Sequence, residues 1–362
     1  MTLLRHAAAA VVAAVAIAIL TGLISPFRDF QLAEVAVYVV AVAGLTVLIG
    51  LSGQISLGHG AFMAIGAYAA ALLIAHLSWP LWAVLPASAV IAAAAGAAAG
   101  AAAARLRGPY LAGATLMLAV ALPSLADRFA GVLGGDQGLS VAVTAPAALG
   151  AAFPLTRWQA WVCVLCALIT LVALANLGRS RLGRSWRAIR DDEVAAALAG
   201  LNVARLRVLA FVVSAACAGL AGAMLAITTT LVSPGSFTLS LSIALLTGAV
   251  IGGLGSLAGA LWGSLVIVLL PTYITDVATS HGFSTAVAAN IPIAAYGVVL
   301  ILVMLLFPDG IQGGLRRLAR PARRLAGPAA PAAARLRALG RSPHELRRRP
   351  PASEQHQKEG TA

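Results

Sequence analysis

A chain of 362 residues with 60% hydrophobic and 10% charged residues does not fit a soluble domain, where about a quarter of residues carry charge. Its mean hydropathy of +0.94 exceeds what one globular core buries, so a bilayer is its natural solvent. The formal charge of +13 does not mark a nucleic-acid surface, because the basic residues fall between apolar runs and in one tail, not on one face of a nucleic-acid fold.

The composition predicts an all-α polytopic integral membrane protein. Residues 7–24 form the first apolar run, behind Arg5. The run is about as long as a span and lacks a clear cleavage site, so it reads as a retained span, with a cleaved signal peptide as the alternative. Residues 1–31 are expected to hold this span and an outer loop. Two blocks then carry no Asp, Glu, Lys or Arg: Val35 to Ala104, 70 residues, and Val208 to Thr275, 68 residues. Each has room for three helices. Breakers divide the first at 52–60 and 78–80, and the second near 233–236 and 252–256. Single spans are expected at 109–126, 158–177 and 287–307. The total is about ten crossings, or eight or nine if a glycine-rich segment re-enters.

Arginine placement sets the orientation, since short cytoplasmic loops carry the excess of Lys and Arg. With both termini inside, Arg5, Arg105, Arg107, the loop 178–207 and the tail hold 22 of the 25 basic residues. Arg28, Arg128 and Arg157 fall outside. The tail, 311–362, is rich in Arg, Ala and Pro and is expected to be disordered and to meet anionic lipid. The chain has 24 Arg and one Lys, Lys358, which reads as a GC-rich bacterial coding bias.

Chemistry-bearing motifs are scarce. Cys163, Cys166 and Cys217 lie in apolar runs without a second pair, so they read as packing residues and no metal site is expected. A P-loop needs a Lys after a glycine-rich turn, and Lys358 has none before it. No hydrolase or metalloprotease motif occurs, so no enzyme activity and no cofactor are expected in this chain. A proton-coupled carrier would need ionisable groups at membrane depth, and the two long blocks offer no carboxylate.

The loop 178–207 is the most informative segment. Five arginines (Arg179, Arg181, Arg184, Arg187, Arg190) lead into Asp191-Asp192-Glu193 and an Ala-rich run that closes at Gly200. Acidic residues suit a helix N-terminus and Gly its end. The plain reading is an ordinary cytoplasmic helix.

Glu193, Ala195, Ala196 and Gly200 reproduce the E-x-A-A-x-x-x-G pattern of ABC importer permeases. The run from Gly50 to Phe62 resembles the glycine-rich signature of branched-chain amino acid permeases. Arg107-Gly108-Pro109-Tyr110 with Ala114-Thr115-Leu116, and Leu133-Gly134-Gly135-Asp136-Gln137-Gly138-Leu139, resemble the LivM-type subunit. Ile251 to Ser256 is similar to the late signature. The resemblance covers about residues 32–310. It departs at Leu118–Pro123, where members often carry an acidic residue.

The resemblance implies an ABC importer permease fold over 32–310 and a bacterial inner-membrane location. It implies a helix at Glu193–Gly200 that docks on an ATPase. The implied partners are a homologous permease, two cytoplasmic ATP-binding subunits that hold ATP and magnesium, and an extracytoplasmic binding protein. The implied cargo is a branched-chain amino acid; urea or a short amide is the alternative, and an ion-coupled carrier a further one. The glycine-rich segments serve either helix packing or a pathway wall, built from Ser52, Gly53, Gln54, Ser56, Gly58, His59, Thr115, Gly252 and Gly253.

Overall fold

The computed structural model describes residues 25–103, 109–150 and 153–281, with residues 17, 21, 22 and scattered positions from 291 to 317. The chain divides into Met1–Gly314 and Leu315–Ala362, and the elements below belong to the first unit. Eight helices among the described residues are long and apolar enough to cross a bilayer. The expected spans 7–24 and 287–307, the anchors Arg105 and Arg107, and the basic tail lie largely or wholly outside the described residues.

Helix α1 runs Pro26–Thr46 and continues as a π-helical turn, Val47–Leu51. Residues 26–31, expected in an outer loop, are therefore helical. Pro26 at the first position has no N–H to leave unpaired, and Asp29 in the first turn faces the positive end of the dipole. After a non-helical stretch come α2, His59–Leu77, and α3, Leu81–Ala103. Thus the first uncharged block does hold three helices. Helix α4 is Pro109–Arg128 and α5 is Leu155–Arg179. Two short helices follow, α6 at Arg181–Asp191 and α7 at Glu193–Leu198. The second uncharged block again supplies three: α8, Val203–Thr229; α9, Leu239–Gly252; and α10, Leu257–Ser280.

The long α8 forms the middle of the packing and touches α1, α2 and α3. Its small residues make this possible. A side chain at Gly222 would overlap the Met63 carbonyl of α2, and one at Gly66 would overlap Gly219. Helices α9 and α10 form a hairpin in which Gly248 faces Gly263 and Gly252 faces Gly259. In hydrocarbon, close backbone contact replaces the hydrophobic drive that holds helices together in water. Cys163 is buried, with its sulfur 3.5 Å from Thr228 Oγ1.

Contacts between loops stay at two ends. At the arginine-rich end, Gly50 packs on the Leu254–Gly255 turn. At the opposite end, Arg157 lies 3.6 Å from Asp29, and Gln159 Nε2 donates to the Ile227 carbonyl at 2.8 Å. There a two-residue strand pair, β1 at Leu139–Ser140 and β2 at Leu231–Val232, runs antiparallel with Leu139 opposite Val232.

Candidate functional site

The break between α1 and α2 is the first part of the site. Helix α1 with its π-helical turn is long enough to cross a bilayer, yet His59 at the start of α2 sits beside Ala41, more than a turn before the end of α1: its Nε2 is 2.9 Å from the Ala41 carbonyl. A carbonyl only accepts, so Nε2 carries the proton. The stretch 52–58 therefore returns into the protein and leaves the first amides of α2 away from the membrane surface. Such amides need partners at this depth. Thr115 Oγ1 accepts from Leu57 N–H at 3.0 Å, Ser56 Oγ from Gly58 N–H at 3.3 Å, and Ser242 Oγ from Gly60 N–H at 3.0 Å.

The polar residues expected on a pathway wall are thus brought together, and each is buried. Ser52 Oγ donates to the Leu48 carbonyl at 2.7 Å, and Gln54 Nε2 donates to Ser52 Oγ at 2.9 Å. Gly53 has φ +72°, which only glycine adopts without strain. Gly58 packs against the Thr115 backbone. Gly252 and Gly253 lie elsewhere on the same end, in the α9–α10 hairpin; Gly253 caps α9 and packs on Gly310.

The loop 178–207 is the second part. Ser180 caps α6, and Trp186, wholly buried, donates from Nε1 to the Leu206 carbonyl at 2.8 Å. This anchors α6 on the start of α8. Asp192 then caps α7, its Oδ1 accepting from Val194 N–H at 2.9 Å and Ala195 N–H at 3.0 Å. Glu193 pairs with Arg207 at 2.7 Å. Ala195 lies on the exposed side of α7, and Ala196 is the one buried residue of the helix. Gly200, at φ +84°, ends it: Gly200 N–H donates to the Ala197 carbonyl and Leu201 N–H to the Ala196 carbonyl. These two bonds make a Schellman motif. The acidic start and glycine stop expected from the sequence are both present.

Helix α7 is a capped helix whose Val194 and Leu198 side chains are uncovered. Val194 is 69% and Leu198 85% exposed.

Sequence reasoning missed three features. Arg190 and Arg207 reach across the arginine-rich end: Arg190 Nη1 donates to the Gly50 carbonyl, and the Arg207 carbonyl accepts from Gln54 Nε2 at 3.4 Å. Charge alone gave no sign of these partners. The third is a groove of about 660 Å³ whose lining includes Tyr38, Ser236, Thr238, Ser240, Thr247 and Pro271. The run of hydroxyl residues from Ser233 to Ser242 was the available signal.

Residues 27–308 match the family model described as branched-chain amino acid transport system / permease component. The chain is 33% identical over 256 residues to the high-affinity branched-chain amino acid transport system permease protein LivM of Escherichia coli K12, covering 64% of this chain and 60% of that protein. It is 28% identical over 305 residues to the LivH permease protein of Salmonella typhimurium, covering 76% and 91%. To the BraD permease protein of Pseudomonas aeruginosa it is 36% identical over 137 residues, covering 38% and 41%. The chain therefore spans 60% of the length of the LivM protein it matches. No solved structure matches the chain.

Proposed function

Because this chain belongs to the family of branched-chain amino acid transport permease components, we propose that it is a membrane-spanning permease subunit of a bacterial ABC importer for branched-chain amino acids. The single observation that carries the ABC assignment is α7: a capped helix on the arginine-rich end with Val194 and Leu198 exposed. That surface is shaped to enter a groove on a cytoplasmic partner. Energy then comes from two ATP-binding subunits, which hold the ATP and magnesium. A homologous permease completes the membrane pair, and an extracytoplasmic binding protein delivers the solute. The arginine-rich end is cytoplasmic and the membrane is the inner one, in line with the distribution of basic residues.

The cargo reading has its own physical support. A zwitterion with an apolar side chain needs hydrogen-bonding groups, and the described spans offer hydroxyls, an amide and an imidazole. The buried Ser52, Gln54, Ser56, Gly58, His59 and Thr115, with the exposed Gly53 and with Gly252 and Gly253, shape the pathway. The accessible hydroxyls at Thr238, Ser240 and Thr247 supply a second wall. The basic tail holds anionic lipid at the cytoplasmic face.

The test is ATP-dependent leucine uptake by vesicles that hold all five components. Uptake should vanish without this chain; undiminished uptake in its absence would end the proposal. Val194→Asp with Leu198→Asp should lose the ATPases on purification while the permease pair stays folded.

A further inference from the structure

We propose that Arg190 is the positioning residue that transmits movement of α7 to the broken helix α1–α2, a role that rests on the docking function proposed above. Arg190 lies two residues before Asp192, the cap of α7, in the last turn of α6. Its guanidinium reaches 140 residues back along the sequence and donates to the Gly50 carbonyl. Its Nε and Nη2 are held by Asp191 Oδ1 at 3.1 and 2.8 Å. The fork is therefore fixed from one side and grips the end of α1 with the other.

The gripped carbonyl is available for a specific reason. In a continuing α-helix the Gln54 N–H would donate to Gly50. Here Gln54 N–H goes to the Leu48 carbonyl and Gly53 N–H to the Ile49 carbonyl. Gly50 is left as an open C-terminal acceptor, where a cation is also favoured by the helix dipole. Gly53 makes the approach possible. A side chain there would stand 2.9 Å from Arg190 Cγ, so the glycine leaves a channel for the arginine stem. On its other side, Gly50 is packed without room against the backbone of Gly255. The last turn of α1 is thus wedged between Arg190 and the α9–α10 turn.

A second tie converges on the same turn. Glu193, the first residue of α7, pairs with Arg207 at 2.7 Å. The Arg207 carbonyl accepts from Gln54 Nε2, which also donates to Ser52 Oγ, which donates to the Leu48 carbonyl. Two independent links therefore join α7 to residues 48–50. Packed elements move as units and do not deform continuously. A displacement of α7 by a partner is then delivered to the end of α1, and through it to the stretch that carries His59 into the membrane.

The experiment uses the complete importer in vesicles and reads two quantities together, leucine taken up and ATP hydrolysed. Arg190→Ala should keep the ATPases bound and basal hydrolysis intact, while leucine transported per ATP falls at least tenfold. Arg190→Lys, which still presents a cation to the Gly50 carbonyl, should recover part of it. Arg184→Ala should behave as the unaltered chain, since among the described residues the Arg184 side chain donates only to the nearby Arg179 carbonyl. Should Arg190→Ala assemble poorly, Arg190→Gln decides: it keeps the stem beside Gly53 but is too short to grip Gly50, and is expected to uncouple. Normal transport per ATP in either variant would overturn the proposal. Release of the ATPases by Arg190→Gln would overturn it too, because the residue would then belong to the docking surface. If the unaltered chain holds no ATPase, the docking function itself falls, and this result is distinguishable from the others.

Discussion

Arg157 lies 3.6 Å from the carboxylate of Asp29, joining α5 to the first turn of α1, and Asp29 is wholly buried. The guanidinium also stands 5.7 Å over the Phe153 ring. Arg157 is one of the three basic residues that the charge pattern sets apart from the arginine-rich loops. Its position follows from Asp29: a buried carboxylate without a partner is costly. Replacing Arg157 by Ala should therefore destabilise the protein by about 3 kcal/mol, the low end for a buried pair, since Arg157 keeps some exposure. Asp29→Leu with Arg157→Met together should cost less than Arg157→Ala alone. Thermal unfolding of the purified protein in detergent measures both.

Among the described residues, Ser242 is the only side chain bonded to the Gly60 amide. Ser242→Ala would leave a buried N–H bare, at a cost of about 1–3 kcal/mol. Thr115→Val should act alike on Leu57 N–H, whereas Thr115→Ser keeps the acceptor and should be close to neutral. The order Ser above Val at position 115, read by melting temperature, checks whether hydroxyls there serve the helix start.

Close helix contact predicts a contrast among glycines. Gly222→Leu should abolish folded protein, because even the first side-chain carbon overlaps the Met63 backbone. Gly113→Ala meets open space and should gain slightly, about 1 kcal/mol at most, from helix propensity. Expression in membranes followed by size-exclusion profile separates the two outcomes.

Gly200→Ala also meets open space, but at φ +84°. The strain of a left-handed alanine is about 1–2 kcal/mol. The global fold should survive, while α7 frays at its end. Faster amide exchange at Ala199 to Leu201, with an unchanged melting temperature, is the expected result.

Much of this was legible in one dimension. Uncharged blocks of about seventy residues fit three helices each, and three are present in both. Asp192 and Gly200 announced the ends of α7, because caps are local hydrogen-bond chemistry between residues two to five apart. The start of α1 was misplaced for the opposite reason. Arg28 and Asp29 look like a solvated loop until Arg157, 128 positions away, neutralises Asp29.

The sequence by itself determined the solvent of this protein, the number of helices in each uncharged block, and which end gathers the arginines. Those properties are sums over neighbouring residues, and hydropathy and charge add along a chain. Only the tertiary structure decided what the glycine-rich break does. Gly50, Gly53 and Gln54 acquire meaning when Arg190 and Arg207 arrive from a loop 140 residues or more distant. Unpaired carbonyls and amides at membrane depth choose their partners in space, and no local pattern records which ones they find.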